Sequence, residues 1–199
     1  MHYPEIVHSL LMASLSLALA PSALGWPIGS LHEASSPVGR LPQADRAIVT
    51  RLLRPTLGPL YQGEPPQLLD NAVQSFRSER VHLGRIPGIA VQASGDRLCS
   101  PAGNCFFWVI DLQHRRILLK AGEIQSFALD KGATGSLPDI VSSTQGSATH
   151  ADLIRWHYDG AGYQGAECAS VEYRDANGNK YAEPKFTPHP CNEGNDSSR

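Results

Sequence analysis

Two periods of apolar residues divide this chain. Between residues 42 and 79 the spacing is helical. In PQADRAIVTRLLR, Ile48, Val49, Leu52 and Leu53 recur three and four apart and Pro55 ends the run, which predicts one helix. In PPQLLDNAVQSFRSER, Leu68, Leu69, Ala72, Val73 and Phe76 form one stripe behind two prolines, which predicts a second helix with a core-facing side. From about residue 80 the period falls to two. Strands are predicted at Arg80–Leu83, Gly88–Ala93, Cys105–Leu112, Arg116–Lys120, Gln125–Leu129, Asp139–Ser143, Asp152–Tyr158, Ala169–Tyr173 and Lys180–Ala182. Turn residues separate them, among them Gly95-Asp96, Asp130-Lys131-Gly132, Asp159-Gly160-Ala161-Gly162 and Asn177-Gly178. Short strands without helices between them pair antiparallel. The expected class is therefore α+β: two N-terminal helices on an antiparallel meander, a small sheet or partial sandwich. The stretch Cys105–Asp111 is apolar on both faces, with Phe106, Trp108 and Ile110 on one and Phe107 and Val109 on the other. It reads as a strand covered on both sides.

The ends of the chain change the picture by setting a compartment. Leu10 to Ala20 is an uncharged apolar run of eleven residues, followed by Ala23 and Gly25 at −3 and −1 to a cut before Trp26. That pattern is a secretory signal, and it is shorter than the ~20 residues that span a bilayer. The region before it carries Glu5 and no Lys or Arg, which departs from the usual positive start. The expected organisation is a signal peptide over 1–25, a Gly-, Pro- and Ser-rich tether with little fixed structure over 26–41, a single domain over 42–191 and a disordered tail over 192–199. No transmembrane segment is expected after cleavage, and the location is secreted or periplasmic.

An even number of cysteines, Cys99, Cys105, Cys168 and Cys191, lies in the expected mature part. In an oxidising compartment disulfides are the default. Of three possible pairings the local one is chosen, Cys99–Cys105 with Cys168–Cys191. On the loop-closure model these remove roughly 2–2.5 and about 3.4 kcal/mol of unfolded-state entropy respectively. Zinc knuckles favour cysteines two to four residues apart and thiol-redox enzymes use C-x-x-C, so C-x5-C is read as a staple.

Two segments share a pattern, RVHLGRIPGIAVQAS (80–94) and SFALDKGATGSLPDIVSST (126–144): a strand, a Gly-bearing turn, a proline, and a strand opening on Ile. With Leu137-Pro138-Asp139-Ile140-Val141, the GNC-x-x-WV pattern of residues 103–109 and the YDGAGY turn of 158–163, the chain resembles exported bacterial proteins with degenerate FG-GAP or VCBS-like β-hairpin repeats. The resemblance covers about residues 78 to 168 and implies a secreted β-domain, not an activity. Repeats of that kind bind calcium through several alternating acidic residues. Here only Asp130 and Asp139 correspond, short of the six to eight oxygens calcium takes.

Candidate chemistry is sparse. His150 and Asp152 stand at i, i+2 and share a strand face, where they could orient an imidazole as a base, with Ser147 as the loop serine. Trp156 and Tyr158 could form an aromatic binding platform or a core column. Glu123, Asp130 and Asp139 cannot be brought into one cleft from sequence. There is no G-x-S-x-G elbow, P-loop, dinucleotide fingerprint or H-E-x-x-H. No metal and no cofactor is expected. After loss of residues 1–25 the chain holds 17 basic and 18 acidic side chains, without the basic excess that nucleic-acid binding requires. The expected function is a non-enzymatic binding or envelope-associated domain, possible as an inhibitor, with an envelope protein or glycan as partner. Residues 142–150 would be its presenting loop. The alternative is an exported hydrolase using His150, Asp152 and the loop serine.

Overall fold

The structure, a computed structural model, describes residues 25–130, 136–174 and 177–191. The expected signal peptide, apart from Gly25, and the expected tail lie outside the described residues. Short 3-10 turns at Ile28–Ser30 and Val38–Arg40 flank β1 (Ser36–Pro37). Helices α1 (Gln43–Leu57) and α2 (Pro66–Ser75) follow, then nine strands: β2 (Arg77–Leu83), β3 (Ile86–Gln92), β4 (Cys105–Asp111), β5 (Arg116–Ile124), β6 (Ser126–Asp130), β7 (Asp139–Ser147), β8 (His150–Tyr158), β9 (Tyr163–Arg174) and β10 (Lys180–His189). They form two five-stranded sheets, in order β1-β2-β3-β4-β5 and β10-β9-β8-β7-β6, with every neighbouring pair antiparallel.

This corrects the α+β expectation. About 49% of the chain is strand, and the protein is mostly β. The predicted strands match the observed ones, overrunning them by one residue at Ala93, Leu112 and Gln125, but several are too short. The polar ends of β7, β9 and β10 break the alternation while their backbones continue the ladder, because ladder pairing does not depend on side-chain polarity. The result is a full second sheet where one meander had been expected. α1 also differs, since it runs past Pro55 to Leu57 and continues as a 3-10 turn to Tyr61. Leu53 and Leu57, one turn apart and both buried, hold the segment helical across the missing N–H. In α2 the buried positions are Leu69 and Val73, while Leu68 is exposed.

The layers follow from the two-sided strand. Trp108 and Ile110 of β4 pack with Ile89 and Val91 of β3 beneath Val49, Leu53, Leu57, Val73 and Phe76 of the helical segment. Phe107 and Val109 point the opposite way, into a core shared with Phe127, Ile140, Ile154, Trp156 and Cys168 of the second sheet. The first sheet is thus the middle layer, with helices outside it on one face and the second sheet on the other. The chain changes sheets across a single residue, Gln125. The buried Gln92 amide holds that corner, donating from Nε2 to the carbonyls of Ile124 (3.2 Å) and Gln125 (2.9 Å).

Residues 26–41, read from sequence as a tether, run along both sheets. His32 bridges Phe127, Ser36–Pro37 pair with Ser78 and Arg77, and Ala34 and Val38 are fully buried. Glu33 ion-pairs with Arg77. Low periodicity misled because the segment is anchored at single residues rather than along a face.

Both disulfides take the local pairing, with Cα separations of 4.0 Å for Cys99–Cys105 and 5.1 Å for Cys168–Cys191. The first staple fixes the loop that ends in Asn104. That buried side chain imitates a strand: its Nδ2 donates to the Gln145 carbonyl and its Oδ1 accepts from the Gln145 N–H, both at 2.9 Å. The opening loop of the first sheet is thereby tied to the second.

Candidate functional site

The β7–β8 hairpin carries the residues singled out in the sequence. The segment 142–150, expected as a loop, is mostly strand, with register running to Ser147↔His150 around Ala148-Thr149. His150 and Asp152 do share a face, with Nε2 3.3 Å from Oδ1. Ser147 does not join them. Its hydroxyl lies 3.1 Å from Thr149 Oγ1 and accepts from the Thr149 N–H, so it closes the turn. The serine on Asp152 is Ser170, across the ladder in β9, donating at 2.8 Å, and His189 Nε2 stands 3.9 Å from the same oxygen. The carboxylate therefore sits between hydroxyl and imidazole. A serine nucleophile needs the imidazole in that middle place to take its proton.

The aromatic pair divides. Trp156 is buried between the sheets, its indole N–H donating to Ser142 Oγ at 2.9 Å. Tyr158 is half-buried against Tyr163, donating to the Gly160 carbonyl at 2.6 Å and accepting from Arg116 at 3.0 Å. They make a core column and a hairpin lock, not a platform. Burial, with help from Asp139 and Tyr158, raises the Tyr163 phenol well above its ordinary range, and its hydroxyl donates to the Pro138 carbonyl at 2.9 Å.

A charged cluster that sequence reading left unassembled lies on the outer face of the second sheet. Asp130 and Asp139 are direct cross-strand partners, and Val141↔Arg155 and Arg155↔Glu167 continue the same face. The Arg155 guanidinium, almost fully buried, ion-pairs with Asp130, stands 3.8 Å from Asp139 and places Nε 3.2 Å from Glu167. The Glu167 contact is an ion pair rather than a directed hydrogen bond, and Arg155 Nη2 is also without a hydrogen-bond partner among the described residues. His157 Nδ1 lies 2.9 Å from Asp139, and the Trp26 ring stacks over the guanidinium at 5.1 Å. Strand alternation places Asp130, Asp139, Arg155 and His157 on one face once the β6–β7 register is known. Nothing in the sequence supplies that register.

A groove of about 470 Å³ opens along α1 and α2, lined by Gln43, Arg46, Thr50, Arg51, Arg54 and Asp70 among others. One turn-spaced stripe of α1 brings Arg46, Thr50, Arg51 and Arg54 to it. Arg46 donates to the Gly39 carbonyl at 2.9 Å, and Arg54 forks onto Asp70 at 2.6 and 2.9 Å, while Arg51 is exposed. Three guanidinium groups against one carboxylate make the groove cationic on a protein of formal charge −2. Its components were visible in PQADRAIVTRLLR, but only as the solvated side of a helix.

Among the described residues no group of three or more His, Cys, Asp or Glu side chains is arranged to hold a metal ion. Among them, too, no helix is long and apolar enough to cross a membrane. Comparison with protein-family models, curated proteins and solved structures returns no match for this chain.

Proposed function

We propose that this protein is an exported, non-enzymatic binding domain of the cell envelope and that the α1–α2 groove is its contact surface. The observation that carries the reading is the groove's chemistry: three arginines, Arg51 and Arg54 of them exposed, on a chain of formal charge −2. Guanidinium forks match carboxylate, sulfate and phosphate oxygens two at a time. An anionic envelope glycan, long enough to run along two helices, is the partner class that suits an open groove. The two disulfides suit an oxidising location outside the cytosol. A rigid three-layer scaffold under the helices keeps the arginines in place at small entropic cost on binding.

The test is retention on immobilised polygalacturonate, with neutral dextran as control. The wild-type protein is expected to bind the uronate polymer in a salt-sensitive manner, and Arg46→Gln, Arg51→Gln and Arg54→Gln combined to abolish retention. Equal retention on dextran, or retention unaffected by the triple variant, overturns the proposal. The exported-hydrolase reading is favoured only by the meeting of His150 with Asp152. It predicts turnover of ester or amide substrates that is lost in His150→Ala.

A further inference from the structure

We infer that Asp70 makes the α1–α2 groove selective among polyanions. It admits a polymer of uronate rings, whose carboxylates are separated by hydroxyl groups, and turns away one that presents sulfate esters in their place. This deepens the groove reading proposed above and rests on it. The bonding of Arg54 carries the inference. Both of its contacts with Asp70, at 2.6 and 2.9 Å, leave from the single nitrogen Nη2. Nη1 and Nε make no hydrogen bond among the described residues, although a guanidinium presents five N–H donors. One edge of the guanidinium therefore stays open beside an occupied one, and a ligand carboxylate seated on it lies next to Asp70. That carboxylate is an acceptor only, on a side chain 36% exposed. A hydroxyl from the same sugar ring can donate to it. A sulfate ester in the same place brings acceptors alone, and its oxygens meet the aspartate as like charge, which is how a site rejects a wrong partner.

The rest of the lining repeats this mixture. Arg46, Thr50 and Arg54 stand four residues apart on α1, about 6 Å per step along the axis, so a hydroxyl separates two cations. On α2, Gln74 stands one turn beyond Asp70. Arg46 spends only Nη1, on the Gly39 carbonyl at 2.9 Å. The side chains of Gln43, Thr50 and Gln74 make no hydrogen bond among the described residues, which leaves two amides and a hydroxyl for a ligand. A surface that held polyanions by charge alone would gain nothing from a carboxylate or from amides. A polyol that carries carboxylates at intervals uses all of them.

The experiment compares wild type with two variants on immobilised polygalacturonate and on dextran sulfate, near neutral pH, with neutral dextran as the blank. Asp70→Asn removes the charge and keeps an acceptor oxygen, whereas Asp70→Ala removes both. Each variant is read against wild type on the same polymer, so the unequal charge densities of the two polymers cancel. On dextran sulfate both variants should bind roughly twofold to fivefold more tightly, the scale of one exposed charge pair. On polygalacturonate neither should gain, and Asp70→Ala should bind more weakly than wild type. If Asp70 served only to tie α2 to α1, or only to lower the groove's charge, its loss would move binding to both polymers alike. An equal change on the two polymers, or no change on either, therefore overturns the inference and leaves the groove reading standing. Failure of wild type and both variants to bind either charged polymer overturns the groove reading and this inference with it.

Discussion

Replacing Arg155 with Leu should damage this fold more than removing any exposed arginine. Arg155 is almost fully buried and is the counter-charge for Asp130 and Asp139, whose side chains are 24% and 10% exposed. Deleting one member of a buried ionic group leaves the others desolvated and uncompensated, at a cost of about 3–5 kcal/mol. Glu167 is half-exposed and can turn to water, which argues for the lower end, about 3 kcal/mol. Leu also leaves two carboxylates opposed across β6 and β7, and like charges in direct register repel. Urea unfolding monitored by tryptophan fluorescence near neutral pH gives the quantity. A loss of roughly 3 kcal/mol is expected. A variant within about 1 kcal/mol of wild type would refute the reasoning.

Other expectations are briefer. Burial would raise the Asp111 carboxyl, but the His114 N–H and imidazole, with Arg116, outweigh it and hold the pKa below the ordinary value. Its contribution is thus present above the unfolded value near 4 and lost as pH falls through the folded one. Asp111→Asn should accordingly flatten the acid limb of a stability–pH curve. Opening Cys168–Cys191, which closes a 23-residue separation, should cost about 3.4 kcal/mol on the loop-closure model, against about 2.2 for the six-residue Cys99–Cys105. Melting the two Cys→Ala pair variants checks the ranking, and a larger loss from the small ring would contradict it. At Gly162 an added Cβ would stand 3.0 Å from the Leu118 backbone carbonyl, where neither side can give easily. Gly162→Ala should lower the melting temperature by several degrees, with no change expected from Gly160→Ala beyond its own positive-φ strain.

How much was legible depended on whether a feature is periodic. The two helices, the two-sided strand and the disulfide pairing follow from spacing, because Ile48–Leu53, Phe106–Ile110 and the cysteine intervals are local facts. The second sheet was underestimated because Thr144 to Ser147 and Glu183 to His189 extend strands without apolar alternation. The role of residues 26–41 was hidden for a related reason: Ala34 and Val38 are buried in different cores, and His32 meets both Phe127 of β6 and Glu79 of β2, so no single face repeats. At the candidate site, the His150–Asp152 pair was readable as neighbours on one strand. Its serine was not, since Ser170 arrives from β9 through a register that sequence cannot supply. The Arg155 cluster needs three such registers at once and was wholly illegible.

The one-residue corner at Gln125 has a consequence for how the molecule assembles. Every named strand before it belongs to the first sheet and every one after it to the second, and each disulfide joins cysteines of one half only. From β2 onward every pairing joins strands consecutive in sequence, which lowers contact order and speeds folding. A chain emerging amino end first can close and oxidise its leading half while the trailing half is still threading, and once Cys99–Cys105 is formed the leading half offers no free thiol for Cys168 or Cys191 to mispair with.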